Sequence, residues 1–189
     1  MARPTTRSWG VLKRVGRYLL RHPRVTYHFV PALASEVTEL VGYSDSDWAG
    51  CRTSRRSTSG GLLTIGGGVV KSWSNRQATV ALSSGEAEFH AATKAAAEAL
   101  AVQAYLRDLG WDTQIRLEVD ASAAKAMASR QGLGKVRHLE VRFLWLQDMV
   151  KGGAIRIQKV RGKLNPADVL TKSLPQAVMA SLLGLVGMT

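Results

Sequence analysis

Gly42-Tyr43-Ser44-Asp45-Ser46-Asp47-Trp48-Ala49-Gly50 places two aspartates, two residues apart, after a short apolar lead-in of Leu40 and Val41 and before an aromatic-Ala-Gly turn. Alternate residues of a strand share a face, so Tyr43, Asp45 and Asp47 point one way and Ser44, Ser46 and Trp48 the other. Asp is a poor strand former, and a carboxylate inside a strand costs stability unless a cation or a donor offsets it. Two acids on one strand face therefore mark a candidate site. The pair taken alone also fits a plainer role, capping a turn or pairing with Arg52, Arg55 and Arg56.

Three further acids extend the pattern. Glu88 lies in Ser83-Ser84-Gly85-Glu86-Ala87-Glu88-Phe89, Asp120 ends the apolar run Leu117-Glu118-Val119, and Asp168 sits in Asn165-Pro166-Ala167-Asp168-Val169-Leu170. Hard divalent cations such as Mg2+ are held by a few carboxylates together with phosphate oxygens of the substrate. Carboxylates scattered along a chain but gathered by its fold suit two-metal phosphodiester chemistry.

The chain of 189 residues is long enough for one domain with a core of its own and an appendage. Its 26 Lys and Arg against 14 Asp and Glu leave a net charge of +12. Residues 1–38 hold seven basic residues and one acidic, residues 52–76 five and none, and residues 130–172 ten and three. Basic segments flanking acidic motifs point to a polyanion, which such patches bind through phosphate contacts and counterion release. The single Cys51 excludes an internal disulfide framework and a Cys-rich zinc site; it reads as a small packed residue. His22, His28, His90 and His138 show no metal-ligand spacing among themselves. No stretch approaches the roughly 20 apolar residues that span a bilayer, so the expectation is a soluble intracellular protein, cytoplasmic or nuclear, with no membrane partner.

From the N-terminus, Trp9, Val11, Leu12, Val15, Tyr18 and Leu19 recur with a helical period among Lys13, Arg14, Arg17 and Arg21, and the His22-Pro23 step ends this basic amphipathic helix. Strands are expected over 39–47, 59–66 and 68–74 as an antiparallel meander, with Gly60-Gly61 and Gly66-Gly67-Gly68 supplying turns. Ser83 or Ser84 with Glu86 opens a long helix that runs from Ala87 to Leu109 and halts at Gly110. A strand over 114–119, a helix over 121–130, a helix over 139–151, a strand over 154–160 and a helix begun by Asn165-Pro166 complete the chain. The order βββ-α-β-α-α-β-α implies an α/β fold, a mixed five-stranded sheet flanked by helices. Three segments follow: 1–38, a basic helix and linker; 39–175, the α/β domain; and 176–189, an apolar tail helix.

The order of strand-Asp, Ala-Glu-Phe at a helix start, strand-Asp-Ala-Ser and Asn-Pro-Ala-Asp resembles the Asp-Glu-Asp-Asp set of ribonuclease H. The strings Tyr-Ser-Asp-Ser-Asp-Trp-Ala-Gly, Arg-Arg-Ser-Thr-Ser-Gly-Gly, Ser-Ser-Gly-Glu-Ala-Glu-Phe and Ala-Asp-Val-Leu-Thr-Lys are similar to the ribonuclease H domain of copia-type retrotransposon polyproteins, from about Leu40 to Leu174. The resemblance implies a ribonuclease H-like fold and an endoribonuclease that hydrolyses the RNA strand of RNA/DNA hybrids, leaving 5'-phosphate and 3'-hydroxyl ends. It implies Asp45, Glu88, Asp120 and Asp168 as catalytic acids and metal ligands, with two Mg2+ ions per site or Mn2+ in their place. Arg55, Arg56, Ser122, Lys135, Arg137 and His138 are the residues expected to meet nucleic acid. The N-terminal helix resembles the end of the reverse transcriptase region, a second partner within one polyprotein; packing of that helix on the present domain is the other reading. A monomer is expected.

Glu86 and Glu88, two apart on a helix, face different ways. Glu88 matches the Ala-Glu-aromatic pattern of the resemblance, and Glu86 fits the capping role. Asp47 is read as structural, bound to Arg55 or Arg56. Val160-Arg161-Gly162-Lys163 lacks the histidine that cellular ribonucleases H often carry before the last acid, which bears on turnover rate. Two alternatives stay open: a domesticated, inactive hybrid-binding module, and another nuclease or integrase of the same fold.

Overall fold

The computed structural model describes residues 4–29, 38–120, 125 and 141–188. Strands β1 (Glu39–Asp47), β2 (Thr58–Ile65), β3 (Gly68–Arg76), β4 (Gln114–Val119) and β5 (Ile155–Lys159) form one sheet in the order β3-β2-β1-β4-β5. β1 runs antiparallel to β2, and β2 to β3, whereas β4 is parallel to β1 and β5 parallel to β4. The mixed five-stranded α/β sheet is thus present, and β1, with its Asp-rich end, lies at its centre.

Two pairs of glycines do different work. Gly66 and Gly67, at φ of 56° and 82°, form the two-residue connection between β2 and β3, where positive φ at both positions matches the twist of the flanking strands. Gly60 and Gly61, expected at a turn, instead lie inside β2. A Cβ added at Gly60 would stand 2.6 Å from Cγ2 of Thr171 and 2.9 Å from Cβ of Leu170. Glycine is needed here because another backbone segment crosses the strand closely.

Ser83 caps helix α2 (Ser84–Asp108), its hydroxyl accepting from the Glu86 N–H at 3.1 Å, and Gly110 at φ 83° follows its end. The helix turns Phe89, Ala92, Ala95, Ala96 and Ala99 onto Leu40, Leu63, Ile115 and Leu117 of the sheet. Removing this much apolar surface from water is the main stabilising contribution. Helix α3 (Val141–Lys151) adds the fully buried Leu146, with Trp145, Met149 and Val150 packed at its margin. Along β5, Ile155 and Ile157 are buried while Arg156, Gln158 and Lys159 face out, as an edge strand requires.

The helix expected from Asn165-Pro166 is instead a short 3-10 helix, Pro166–Leu170. Pro175 follows closely, and a residue before proline is pushed out of the helical region, so a long α-helix has no room. Helix α4 (Gln176–Gly184) comes next and buries Leu182. At the other end, helix α1 (Thr6–Arg21) has no buried residue, and Trp9, Val11, Leu12, Val15, Tyr18 and Leu19 are exposed. Among the described residues, α1 buries no side chain against the sheet domain. The linker after it is tied down, because the Val69 N–H donates to the Tyr27 hydroxyl at 2.9 Å and the His28 N–H to the Gly187 carbonyl at 2.8 Å. The helix expected over 121–130 and the loop 132–138 lie outside the described residues. Among the described residues no helix is long and apolar enough to cross a membrane.

Candidate active site

The end of β1 carries the first acid. Asp45 has no exposed surface; it lies opposite Gly60 of β2 and one residue beyond the Ser44–Val119 pairing with β4. Burial pushes its carboxyl up, and hydrogen bonding from Thr171 pulls it back. The Thr171 hydroxyl donates to Oδ2 of Asp45, and the Lys172 ammonium stands 3.1 Å from Oδ1.

Glu88 approaches from the first turns of α2. Its Oε1 accepts the Ser46 N–H at 3.3 Å, and its buried Oε2 has no hydrogen-bond partner. Burial, then the neighbouring Asp45 carboxylate, pushes the Glu88 carboxyl up to about 7. Glu86 faces elsewhere: Oε2 accepts the Leu82 N–H at 2.8 Å, and Oε1 lies 3.7 Å from Nε2 of His90. Glu86 thus completes the cap of α2 while Glu88 looks toward β1.

Asp168 is presented by the 3-10 helix. Asn165, fully buried, donates through Nδ2 to the Ser44 carbonyl at 3.0 Å and accepts the Ala167 N–H on Oδ1 at 3.2 Å. One side chain therefore both caps this turn and fastens it to β1. Oδ1 of Asp168 lies 3.1 Å from Nζ of Lys172. Asp120 leaves the end of β4 beside Asp45, and a Cβ at Gly162 would come within 3.2 Å of its Oδ2. Asp45 thus stands at the carboxyl end of β1 between Glu88 and Asp168, and Asp120 stands at the carboxyl end of the neighbouring β4. Among the described residues, though, no three acids, histidines or thiols converge closely enough to form a ready-made metal cage.

Asp47 takes a structural part with a different partner from the arginines considered in the sequence: its Oδ1 accepts the Thr58 N–H, closing the β1–β2 connection. Arg55, at φ 55°, and Arg56 are exposed on that connection, which opens at the same end as Asp45. Cys51 is not packed in the core; it is half-buried in this turn, and hydrogen bonds from Ser54 lower its thiol to about 7. A groove near α2 adds Arg76 and Lys94 beside Asn75, Gln77, His90 and Trp145. Ser122, Lys135, Arg137 and His138 lie outside the described residues. Thr171, Lys172 and the double role of Asn165 escaped the sequence reading. The signal was there in Ala-Asp-Val-Leu-Thr-Lys, where Thr171 and Lys172 stand three and four residues after Asp168 and so share its side of a helical turn.

No protein-family model matches the chain. It is 32% identical over 187 residues to the retrovirus-related Pol polyprotein from transposon TNT 1-94 of Nicotiana tabacum, a match that covers 98% of this chain and 14% of that protein. It is 28% identical over 196 residues to the retrovirus-related Pol polyprotein from transposon RE1 of Arabidopsis thaliana, covering 100% of this chain and 13% of that one. The solved structure of LC11-RNase H1, isolated from compost by a metagenomic approach, superposes with a TM-score of 0.52 at 18% identity, over 71% of this chain and 93% of that chain. This chain is homologous to the Pol polyproteins of copia-type retrotransposons and has the ribonuclease H-like fold. It spans about one seventh of the Nicotiana relative.

The acids of this Pol homologue fit a divalent cation on two observations. Oε2 of Glu88 is buried without a partner, and Asp45, with no exposed surface, already needs the Lys172 ammonium and the Thr171 hydroxyl beside it. Buried carboxylates are held ionised by cations or donors.

Proposed function

We propose that this chain is an endoribonuclease that hydrolyses the RNA strand of RNA/DNA hybrids. The observation that carries this reading is the fully buried Asp45 at the carboxyl end of β1, with Glu88 brought up on one side by the Ser46–Glu88 hydrogen bond and Asp168 on the other by the Asn165–Ser44 bond and the Lys172 bridge. Homology to retrotransposon Pol polyproteins supports it. Asp45, Glu88, Asp120 and Asp168 would hold Mg2+, or Mn2+ in its place, as a pair of ions. Bound there, the ions would stabilise negative charge developing on a phosphodiester and lower the pKa of an attacking water.

The chain's own residues supply positioning and charge. Asn165 sets the turn bearing Asp168 against β1, the Ser46 N–H sets Glu88, and the Thr171 hydroxyl fixes one oxygen of Asp45 while the Lys172 ammonium bridges the other to Asp168. Arg55, Arg56, Arg76 and Lys94 would meet backbone phosphates, which set register without reading sequence. Selection of the RNA strand requires contact with its 2'-hydroxyls. Incubating the chain with end-labelled hybrid in Mg2+ tests the reading: RNA fragments with 5'-phosphates are expected, and binding without cleavage would favour an inactive hybrid-binding module.

A further inference from the structure

Lys172 is placed where a cation is needed most. Its Nζ lies 3.1 Å from Oδ1 of Asp45 and 3.1 Å from Oδ1 of Asp168, bridging an acid of the central strand and an acid of the 3-10 helix. The Asp45 side chain is 1% exposed and that of Asp168 16%, whereas the Lys172 side chain is 39% exposed. The two carboxylates thus form the floor and the lysine enters from the solvent side. Lysine carries its charge as a compact point on a flexible stem, so the ammonium can leave this position without disturbing the backbone of 166–172. The other Asp45 oxygen is taken by the neutral Thr171 hydroxyl, and Oε2 of Glu88 stays without a partner.

We propose that Lys172 is a resident counter-ion of the acid cluster, one that a divalent cation must displace, so that its side chain sets the cation concentration at which the site loads. The proposal rests on the metal-binding reading of these acids. Before loading, the ammonium neutralises part of the charge of Asp45 and Asp168 and keeps them facing each other. A divalent ion offers twice the charge to the same oxygens, and the lysine is then released to solvent or to a substrate phosphate.

Two measurements on the whole chain test this. In calorimetric titration of the metal-free protein with Mn2+, Lys172→Met should bind roughly fivefold to tenfold more tightly than the parent, because a competing ion pair of ordinary strength is gone; in EDTA the same variant should melt at a lower temperature. In the parent itself, acetylation of Lys172 read by peptide mass spectrometry should be slow in EDTA and several-fold faster at saturating Mg2+, with the exposed Lys151 as an internal standard unaffected by metal. Equal or weaker Mn2+ binding by Lys172→Met, or acetylation that Mg2+ leaves unchanged or slows, overturns the counter-ion role while the metal site stands. Absence of Mn2+ binding in both proteins overturns the metal reading and this proposal with it. Should Lys172→Met not fold without metal, the acetylation experiment decides alone.

Discussion

The Ser46 N–H donates to Oε1 of Glu88 at 3.3 Å, joining the central strand to the first turns of α2 across 42 residues of sequence. The bond uses one carboxylate oxygen and leaves the other buried with no partner. Glu86, two residues earlier, is turned by about 200° around the helix and closes the cap at Leu82. The two glutamates therefore differ in kind. Glu88→Gln should fold and lose nearly all hybrid cleavage, whereas Glu86→Gln should stay active and lose about 1 kcal/mol or less of stability. Cleavage assays and thermal melts on both variants check this; an inactive Glu86→Gln beside an active Glu88→Gln would reverse the assignment.

Acidity should stabilise the metal-free protein. The Glu88 carboxyl sits at about 7 in the fold against an ordinary value near 4.5, so between those values the folded state binds more protons than the unfolded one. Stability from this group is fully present below about pH 4.5 and is lost as pH rises through about 7, a loss on the order of 3 kcal/mol. Buried Asp45, also raised, acts in the same direction. Melts in EDTA from pH 5 to 8 should show a falling midpoint for the parent and a flatter profile for Glu88→Gln. A parent profile that rises across this range would be incompatible with a buried Glu88 whose Oε2 has no hydrogen-bond partner.

The segment bearing Asp168 depends on two positions that hold it against β1 and β2, Gly60 and Asn165. Gly60→Ala would drive a methyl to 2.6 Å from Thr171 and 2.9 Å from Leu170, which should cost on the order of 1–3 kcal/mol and lower cleavage by shifting Asp168, Thr171 and Lys172 away from Asp45. Asn165→Ala removes a buried cap and the bond to Ser44, with an expected loss on the order of 2 kcal/mol. Denaturant titration reads the effect on stability and hybrid cleavage at saturating Mg2+ the effect on activity. Parent-like behaviour of both variants would mean that this segment is held by something else.

Much of the fold was legible in the chain because period and punctuation are local. The strand-turn-strand pattern of 39–76, the Ser83 cap with Glu86, and the stop at Gly110 follow from backbone chemistry that neighbouring residues declare. Long-range approach is not declared in that way. Gly60 and Gly61 look like turn residues in sequence, and only the crossing of Thr171 and Leu170 over β2 explains Gly60. Asp47 sits near arginines in sequence but is satisfied by the Thr58 backbone N–H. Lys172 reads as one more basic residue until the fold carries it 127 residues back to Asp45. Helix α1 shows a clear amphipathic period, yet periodicity says only that an apolar stripe exists and not what covers it.

Binding should be electrostatic at its base. Hybrid affinity should fall steeply between low and physiological salt, and Arg55→Ala with Arg56→Ala should weaken binding and flatten the log–log salt slope by roughly one for each phosphate that the protein no longer neutralises. The cleavage pattern should change little, since interactions with the phosphate backbone carry no sequence information. Fluorescence anisotropy across a salt series measures this, and a slope unaffected by the double variant would place the phosphate-binding cations elsewhere.

The carboxylates at the end of β1 are held to carry out hybrid cleavage with a divalent cation, and a single comparison bears on this most directly. The parent and Asp45→Asn are incubated with RNA/DNA hybrid in Mg2+, with EDTA as control, and the RNA products are resolved with their end groups. The parent should release RNA fragments ending in 5'-phosphate and 3'-hydroxyl, EDTA should stop the reaction, and Asp45→Asn should be folded and inactive. Undiminished cleavage by Asp45→Asn, or cleavage by the parent that persists in EDTA, would contradict this mechanism.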